Sequence, residues 1–137
     1  MIRPFHLALL VSDLESTRRF YCGVLGCTEG RSAERWVDFD LFGHQISCHL
    51  GAATGDRGVN AVDGDQVPIP HFGVILLWED WEALRARLES FGVEFVVPPR
   101  IRFEGQPGEQ GTLFFRDPSG NALEFKSFRS DHSIFER

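Results

Sequence analysis

The same order of elements runs twice along this chain, and few folds accommodate that. Pro4 to Val11 is almost wholly apolar and reads as a strand buried on both faces. Ser12-Asp13 follows, with Asp13 placed as an N-cap. Leu14, Arg18, Phe20, Tyr21, Val24 and Leu25 then recur at helical spacing. Gly26 stands just beyond, where a helix-ending glycine belongs. Trp36 to Phe42 and Gln45 to Leu50 read as strands around a Gly43-His44 turn. In the second half His71 to Leu77 is again an apolar strand. Glu79-Asp80 opens a helix with Trp81, Leu84, Leu88 and Phe91 on one stripe, and Gly92 ends it. Val93 to Val97 is a short strand stopped by Pro98-Pro99. Thr112 to Arg116 and Ala122 to Phe128 flank the turn Asp117-Pro118-Ser119-Gly120-Asn121. Each half therefore reads strand, helix, strand, strand, strand, a repeat of about 65 residues.

The expected fold is α+β: two βαβββ modules forming one curved mixed sheet around a cleft, within a single domain. The modules span about 4–66 and 67–128, with a polar tail over 129–137. Residues 51–66 are rich in Gly, Ala, Asp, Asn and Thr without periodicity, and read as a linker or mobile loop closed by Pro68 and Pro70. Gly105 to Gly111 is a second glycine-rich loop. Both are candidate lids.

Composition excludes several classes. With 42% hydrophobic residues, thirteen Phe and three Trp, the 137-residue chain can bury an aromatic core. Fourteen Lys plus Arg against twenty Asp plus Glu give a net charge of −6, which argues against nucleic acid as a partner. No apolar run is long enough to span a bilayer. The N-terminus carries no secretory pattern, and Cys22, Cys27 and Cys48 are odd in number, so reduced thiols in the cytoplasm are expected. Two of them are expected to be buried and one partly exposed.

Strand alternation picks out the chemistry. If Phe5, Leu7, Leu9 and Val11 face the helix, His6 faces the open side. If Phe72, Val74 and Leu76 face the helix, so does His71 point the other way, with Gly73 and Ile75. In the last strand Leu123 and Phe125 go inward and Glu124 and Lys126 go to the open side. A carboxylate inside a strand is costly unless it is paired or bound to a cation. His6, His71 and Glu124 are thus candidate ligands of a divalent metal: two imidazoles and a carboxylate, the donor set of non-haem Fe(II) oxygenases. The same set also holds Mn, Zn, Ni or Co.

These residues resemble the vicinal oxygen chelate superfamily of glyoxalase I, bleomycin-resistance proteins, fosfomycin-resistance enzymes and extradiol dioxygenases. The resemblance covers about residues 4 to 128. It is carried by Phe5-His6-Leu7-Ala8, Val11-Ser12-Asp13-Leu14, Phe20-Tyr21, Leu25-Gly26, Pro70-His71-Phe72-Gly73 and Phe115 to Phe125. Trp36-Val37-Asp38-Phe39-Asp40, Phe42-Gly43-His44-Gln45 and Pro107-Gly108-Glu109-Gln110 look most like small predicted extradiol-type dioxygenases. The resemblance implies His6, His71 and Glu124 as ligands, Fe(II) as the favoured metal, ring cleavage of a small vicinal-oxygen substrate, and a homodimer.

Matching Gly43 to Gly120 puts Ser47 where Glu124 sits in the other module, so the fourth protein ligand of glyoxalase I is absent here. His49, on the same expected face, is the candidate acid–base residue. Ser47, Arg102 and Lys126 are candidate substrate-binding residues, and Arg100 accompanies Arg102 beside the second loop. Extradiol enzymes also place a Tyr in the site. The single Tyr21 sits on the first helix, where core packing accounts for it. Two alternatives stand beside ring cleavage: a glyoxalase-like lyase or isomerase using a non-redox divalent metal, and a metal-free small-molecule binding or resistance protein.

Overall fold

A computed structural model of the chain describes residues 2–52, 58–62 and 64–137. The chain divides into two compact units: residues 1–55 with 117–121, and residues 56–116 with 122–137.

In the first unit, β1 (His6–Val11) leads to a short helix α1 (Leu14–Arg18), then β2 (Thr28–Ala33), β3 (Trp36–Leu41) and β4 (His44–Leu50). The sheet order is β1-β4-β3-β2, with β1 parallel to β4 and the other pairs antiparallel. Asp13 caps α1 as expected: its carboxylate accepts from the Ser16 amide at 2.7 Å. The helix does not run on to Gly26. Residues Arg19–Val24 form a π turn, closed by Leu25 N–H donating to the Phe20 carbonyl. This turn delivers Tyr21 to the interior. The ring stacks on Phe39 at 5.2 Å between centroids, and the hydroxyl donates to Asp117 at 2.9 Å. Gly26 follows at φ 80°, the left-handed residue the sequence pattern placed there.

The Asp117–Asn121 turn belongs to this first unit. Asp117 accepts from the amides of Ser119 and Asn121 and from the Asn121 side chain. Ser119 Oγ accepts from Ser12 N–H, and Asn121 donates to the Leu10 carbonyl.

The second unit opens on an antiparallel ribbon, β5 (Gly58–Val62) with β6 (Asp65–Ile69). Two short strands, β7 (His71–Phe72) and β8 (Ile75–Leu76), follow; then α2 (Trp78–Ser90), β9 (Phe95–Arg102), β10 (Gln110–Arg116) and β11 (Ala122–Phe128). The order is β7-β11-β10-β9, with β8 also on β11; β7 and β8 run parallel to β11. Trp81, Leu84 and Leu88 of α2 are buried with Leu113, Phe115, Leu123 and Phe125, and the Trp81 indole donates to the Phe125 carbonyl.

The βαβββ order holds in both halves. The strands, however, are hydrogen-bonded as a four-stranded sheet, a five-stranded sheet and the β5–β6 ribbon rather than as one sheet. Other expectations change. Part of the 51–66 segment is the β5–β6 ribbon; its two strands are exposed or half-buried apart from Pro68, so no apolar pattern announced it. Strand β2, Thr-Glu-Gly-Arg-Ser-Ala, is an edge strand exposed throughout, and is silent for the same reason. β9 continues through Pro98-Pro99, which an edge strand tolerates because it needs fewer ladder donors. The first hairpin turns at Phe42-Gly43, both at positive φ, one residue earlier than expected. Phe5 and Phe91, placed in the interior by their stripes, are 64% and 55% exposed because each lies just past the end of its element. Cys48 is buried while Cys22 and Cys27 are half-buried, the reverse of the expected two-to-one split. The tail holds a 3₁₀ turn over Asp131–Phe135. Among the described residues no helix is long and apolar enough to cross a membrane.

Candidate functional site

Strand alternation sorts both sheets into an apolar face and a mixed face, called open below; on that face of the second unit Val97, Phe114 and Ala122 are nonetheless buried, with Val67 packed against them. In the first unit Val11, Val37, Phe39, Leu41, Ile46 and Cys48 are buried. The register pairs His6 with Gln45, Ala8 with Ser47, Asp38 with Ser47 and Trp36 with His49, so these residues share the opposite face. In the second unit the pairs Ala122–His71, Phe114–Glu124, Thr112–Lys126, Thr112–Arg100 and Gln110–Arg102 likewise collect on one face.

On the second unit's open face His71 meets Glu124: Nε2 lies 3.2 Å from Oε2. The other atoms of this pair are already committed. His71 Nδ1 is 2.7 Å from the Pro68 carbonyl, and Glu124 Oε1 accepts from Thr112 Oγ1 at 2.7 Å. Phe114 packs edge-on against the imidazole at 4.8 Å. A pocket of about 260 Å³ lies over the pair, lined by His71 through Ile75, Glu124 and Lys126. Gly73 makes this arrangement possible. A Cβ there would stand 1.6 Å from the Glu124 carbonyl oxygen, so only glycine lets the strand pass so close to β11. The same close passage separates β7 from β8.

A carbonyl oxygen only accepts, so His71 carries a proton on Nδ1, and Nε2 is the ring atom turned to Glu124. The 3.2 Å between Nε2 and Oε2 suits an N–H donated to the carboxylate, and the same two atoms are donors a cation could use. The remaining side chain here is Lys126, whose Nζ lies 3.8 Å from Glu124 Oε1. Arg100 pairs with Asp65, and the Arg102 guanidinium lies 5.1 Å over the Phe103 ring.

Of the three residues expected to converge, His71 and Glu124 meet. His6 belongs to the first unit, where its Nδ1 lies 2.9 Å from Gln45 Oε1. Among the described residues no group of three or more His, Cys, Asp or Glu side chains is gathered as a metal site. Ser47 donates to Asp38 Oδ1 at 2.6 Å, so its proton is committed. His49 is exposed on the same face, its ring 6.5 Å from that of Trp36. A further pocket of about 360 Å³ in the first unit is lined by Gly30, Arg31, Asp38, Asp40, His44 and Gln45, among others. Tyr21 is engaged in the core. Burial, together with the Asp117 carboxylate beside it, pushes its phenol well above the ordinary 10.0.

Sequence reasoning missed Gln45, Asp38, Thr112 and the Pro68 carbonyl, which hold the imidazoles and Glu124 in place. Asp38 had the same signal as Glu124, a carboxylate within a strand. The others gave none, because their roles depend on cross-strand partners.

Paired βαβββ modules with an imidazole and a carboxylate together on an open strand face define a vicinal-oxygen-chelate architecture. The chain belongs to the Glyoxalase/Bleomycin resistance protein/Dioxygenase superfamily, whose model matches residues 3–125. It is similar to a glyoxalase/bleomycin resistance protein/dioxygenase from Alicyclobacillus acidocaldarius, at 33% identity and TM-score 0.79 over 96% of both chains. A genomically encoded fosfomycin resistance protein from Listeria monocytogenes shares the fold at 22% identity and TM-score 0.70, over 97% of this chain and 98% of that one. An integron cassette protein from the mobile metagenome of a Halifax Harbour sewage outfall matches at 25% identity and TM-score 0.65, over 93% of this chain and 99% of that one.

Proposed function

We propose that this protein is a divalent-metal enzyme acting on a small substrate with neighbouring oxygen atoms, and that His71, Glu124 and His6 supply the metal ligands. The observation that carries the reading is the Nε2–Oε2 pair at 3.2 Å, with every other polar atom of both side chains already bonded. Ligating histidines characteristically donate their second ring N–H to a carbonyl or carboxylate, and His71 does so to Pro68. A bound divalent ion would act as a Lewis acid on the chelated oxygens. Lys126 and Arg102, on the same face as Glu124, would hold an anionic group of the substrate, and exposed His49 would serve as acid or base. Ser47 contributes through Asp38 rather than by direct contact with substrate.

Non-redox Lewis-acid chemistry is the reading we favour, because Tyr21, the chain's single tyrosine, is bonded to Asp117 in the core. Extradiol ring cleavage with Fe(II) is the second reading, supported by the two-His, one-Glu donor set. Metal analysis of the purified protein with oxygen-uptake assays on catechols separates them. Zn, Mn, Ni or Co without uptake supports the first; iron with uptake supports the second. In either case His71→Ala and Glu124→Ala should lose metal affinity by at least about a hundredfold while keeping the circular dichroism spectrum of the parent. Metal content equal to the parent's refutes the ligand assignment. We also propose a homodimer. If copies share ligands, mixing His6→Ala with Glu124→Ala protein restores metal binding that neither has alone.

A further inference from the structure

We infer that Asp38 is a positioning residue that fixes, through Gln45, which ring nitrogen of His6 carries the proton. This rests on the reading of His6 as a ligand, although the tautomer itself exists without metal. Asp38 sits in β3 with 7% exposure, on the open face of the first unit's sheet. Its carboxylate can only accept. Ser47 Oγ donates to Oδ1 at 2.6 Å, and Gln45 Nε2 donates to Oδ2 at 3.3 Å. Once the amide NH₂ of Gln45 is turned to Asp38, its carbonyl oxygen faces the other way, 2.9 Å from His6 Nδ1. That oxygen also only accepts, so Nδ1 must hold the proton and Nε2 is left with a lone pair. The strand register builds the relay: His6 lies beside Gln45, Ser47 follows two residues along β4, and Asp38 lies beside Ser47. Gly30 closes over Asp38 from β2, where a Cβ would stand 3.3 Å from the Asp38 Cβ.

Asp38→Asn tests this with almost no change in shape. An asparagine at 38 can donate, so the Gln45 amide is released to turn over and offer its NH₂ to His6, which must then hold its proton on Nε2. Ring-nitrogen NMR on the full-length, metal-free protein should show His6 protonated at Nδ1 in the parent and at Nε2 in a substantial share of Asp38→Asn molecules. Calorimetric affinity for Ni²⁺ should fall about 10–100-fold in that variant. In Asp38→Asn/Gln45→Glu, the new carboxylate accepts from both neighbours and should return the tautomer and most of the affinity. A parent His6 protonated at Nε2, or an Asp38→Asn protein with unchanged tautomer and Ni²⁺ affinity, overturns the inference. If Asp38→Asn does not fold, the parent spectrum still decides. Parent protein that shows the Nδ1 proton but binds no Ni²⁺ keeps the relay and sinks the metal reading; Ni²⁺ binding with an Nε2 proton does the opposite.

Discussion

The two histidines each set Nδ1 against an oxygen acceptor, by different means. His71 is fixed by a backbone carbonyl, that of Pro68, at 2.7 Å. His6 is fixed by a side-chain amide, Gln45, which is itself set by Asp38. A backbone anchor survives most substitutions at its own position. A side-chain relay is lost at any link. The second unit therefore owes its geometry to main-chain placement, above all the close passage at Gly73, and the first owes it to side-chain identity. The difference teaches that the placing of an imidazole can rest on conformation in one half of a chain and on chemistry in the other.

Gly73→Ala attacks the main-chain device directly. With its new methyl 1.6 Å from the Glu124 carbonyl, it should cost more than about 4 kcal/mol and abolish a cooperative thermal melt. Gly30→Ala, whose methyl would meet the Asp38 Cβ at 3.3 Å and its carbonyl oxygen at 3.5 Å, should change stability by less than about 1 kcal/mol. Similar melts for the two variants would show that the close passage is not what shapes the second unit. Thr112→Val leaves Glu124 Oε1 without its hydroxyl donor and should weaken metal binding about tenfold, less than loss of a ligand.

Tyr21→Phe removes the bond to Asp117, which keeps three other donors, and should cost about 1 kcal/mol. The pH dependence follows from the raised phenol. Its contribution is intact below about pH 10, the unfolded value, and is lost as pH climbs beyond. Denaturant midpoints of the parent should therefore fall above pH 10 more steeply than those of Tyr21→Phe. The smallest effect concerns the thiols. Burial, then the nearby Asp117 and Asp38 carboxylates, push Cys48 up to about 12. A thiol reagent at pH 8 should label half-buried Cys22 and Cys27 first and reach Cys48 only on unfolding. Early labelling of Cys48 would mean that the first sheet opens readily.

Much of the fold was legible because apolar alternation and glycine punctuation are local signals. His6, His71 and Glu124 were assigned to open faces from alternation alone; the burial pattern follows it for exposed His6 beside half-buried Leu7 and for half-buried Glu124 between buried Leu123 and Phe125, while His71 and Phe72 are both half-buried. The β5–β6 ribbon and β2 were not legible, since strands with little buried apolar surface leave no period to read. The π turn was hidden as well. The apolar spacing around Tyr21 suits an ordinary helix, and the partners that the inward turn reaches, Phe39 and Asp117, are far from Tyr21 in sequence.

What the sequence determined by itself, then, was the repeated element order, the sides of the strands on which imidazole and carboxylate stand, and the glycines that let backbone bend or pass. These follow from steric rules acting over a few residues. Tertiary structure alone decided which neighbour each polar atom meets: Pro68 for His71, Gln45 and Asp38 for His6, Thr112 for Glu124. The physical reason is that a hydrogen bond is directional and short. Its partners are chosen by strand register, and register brings together residues that no local pattern connects.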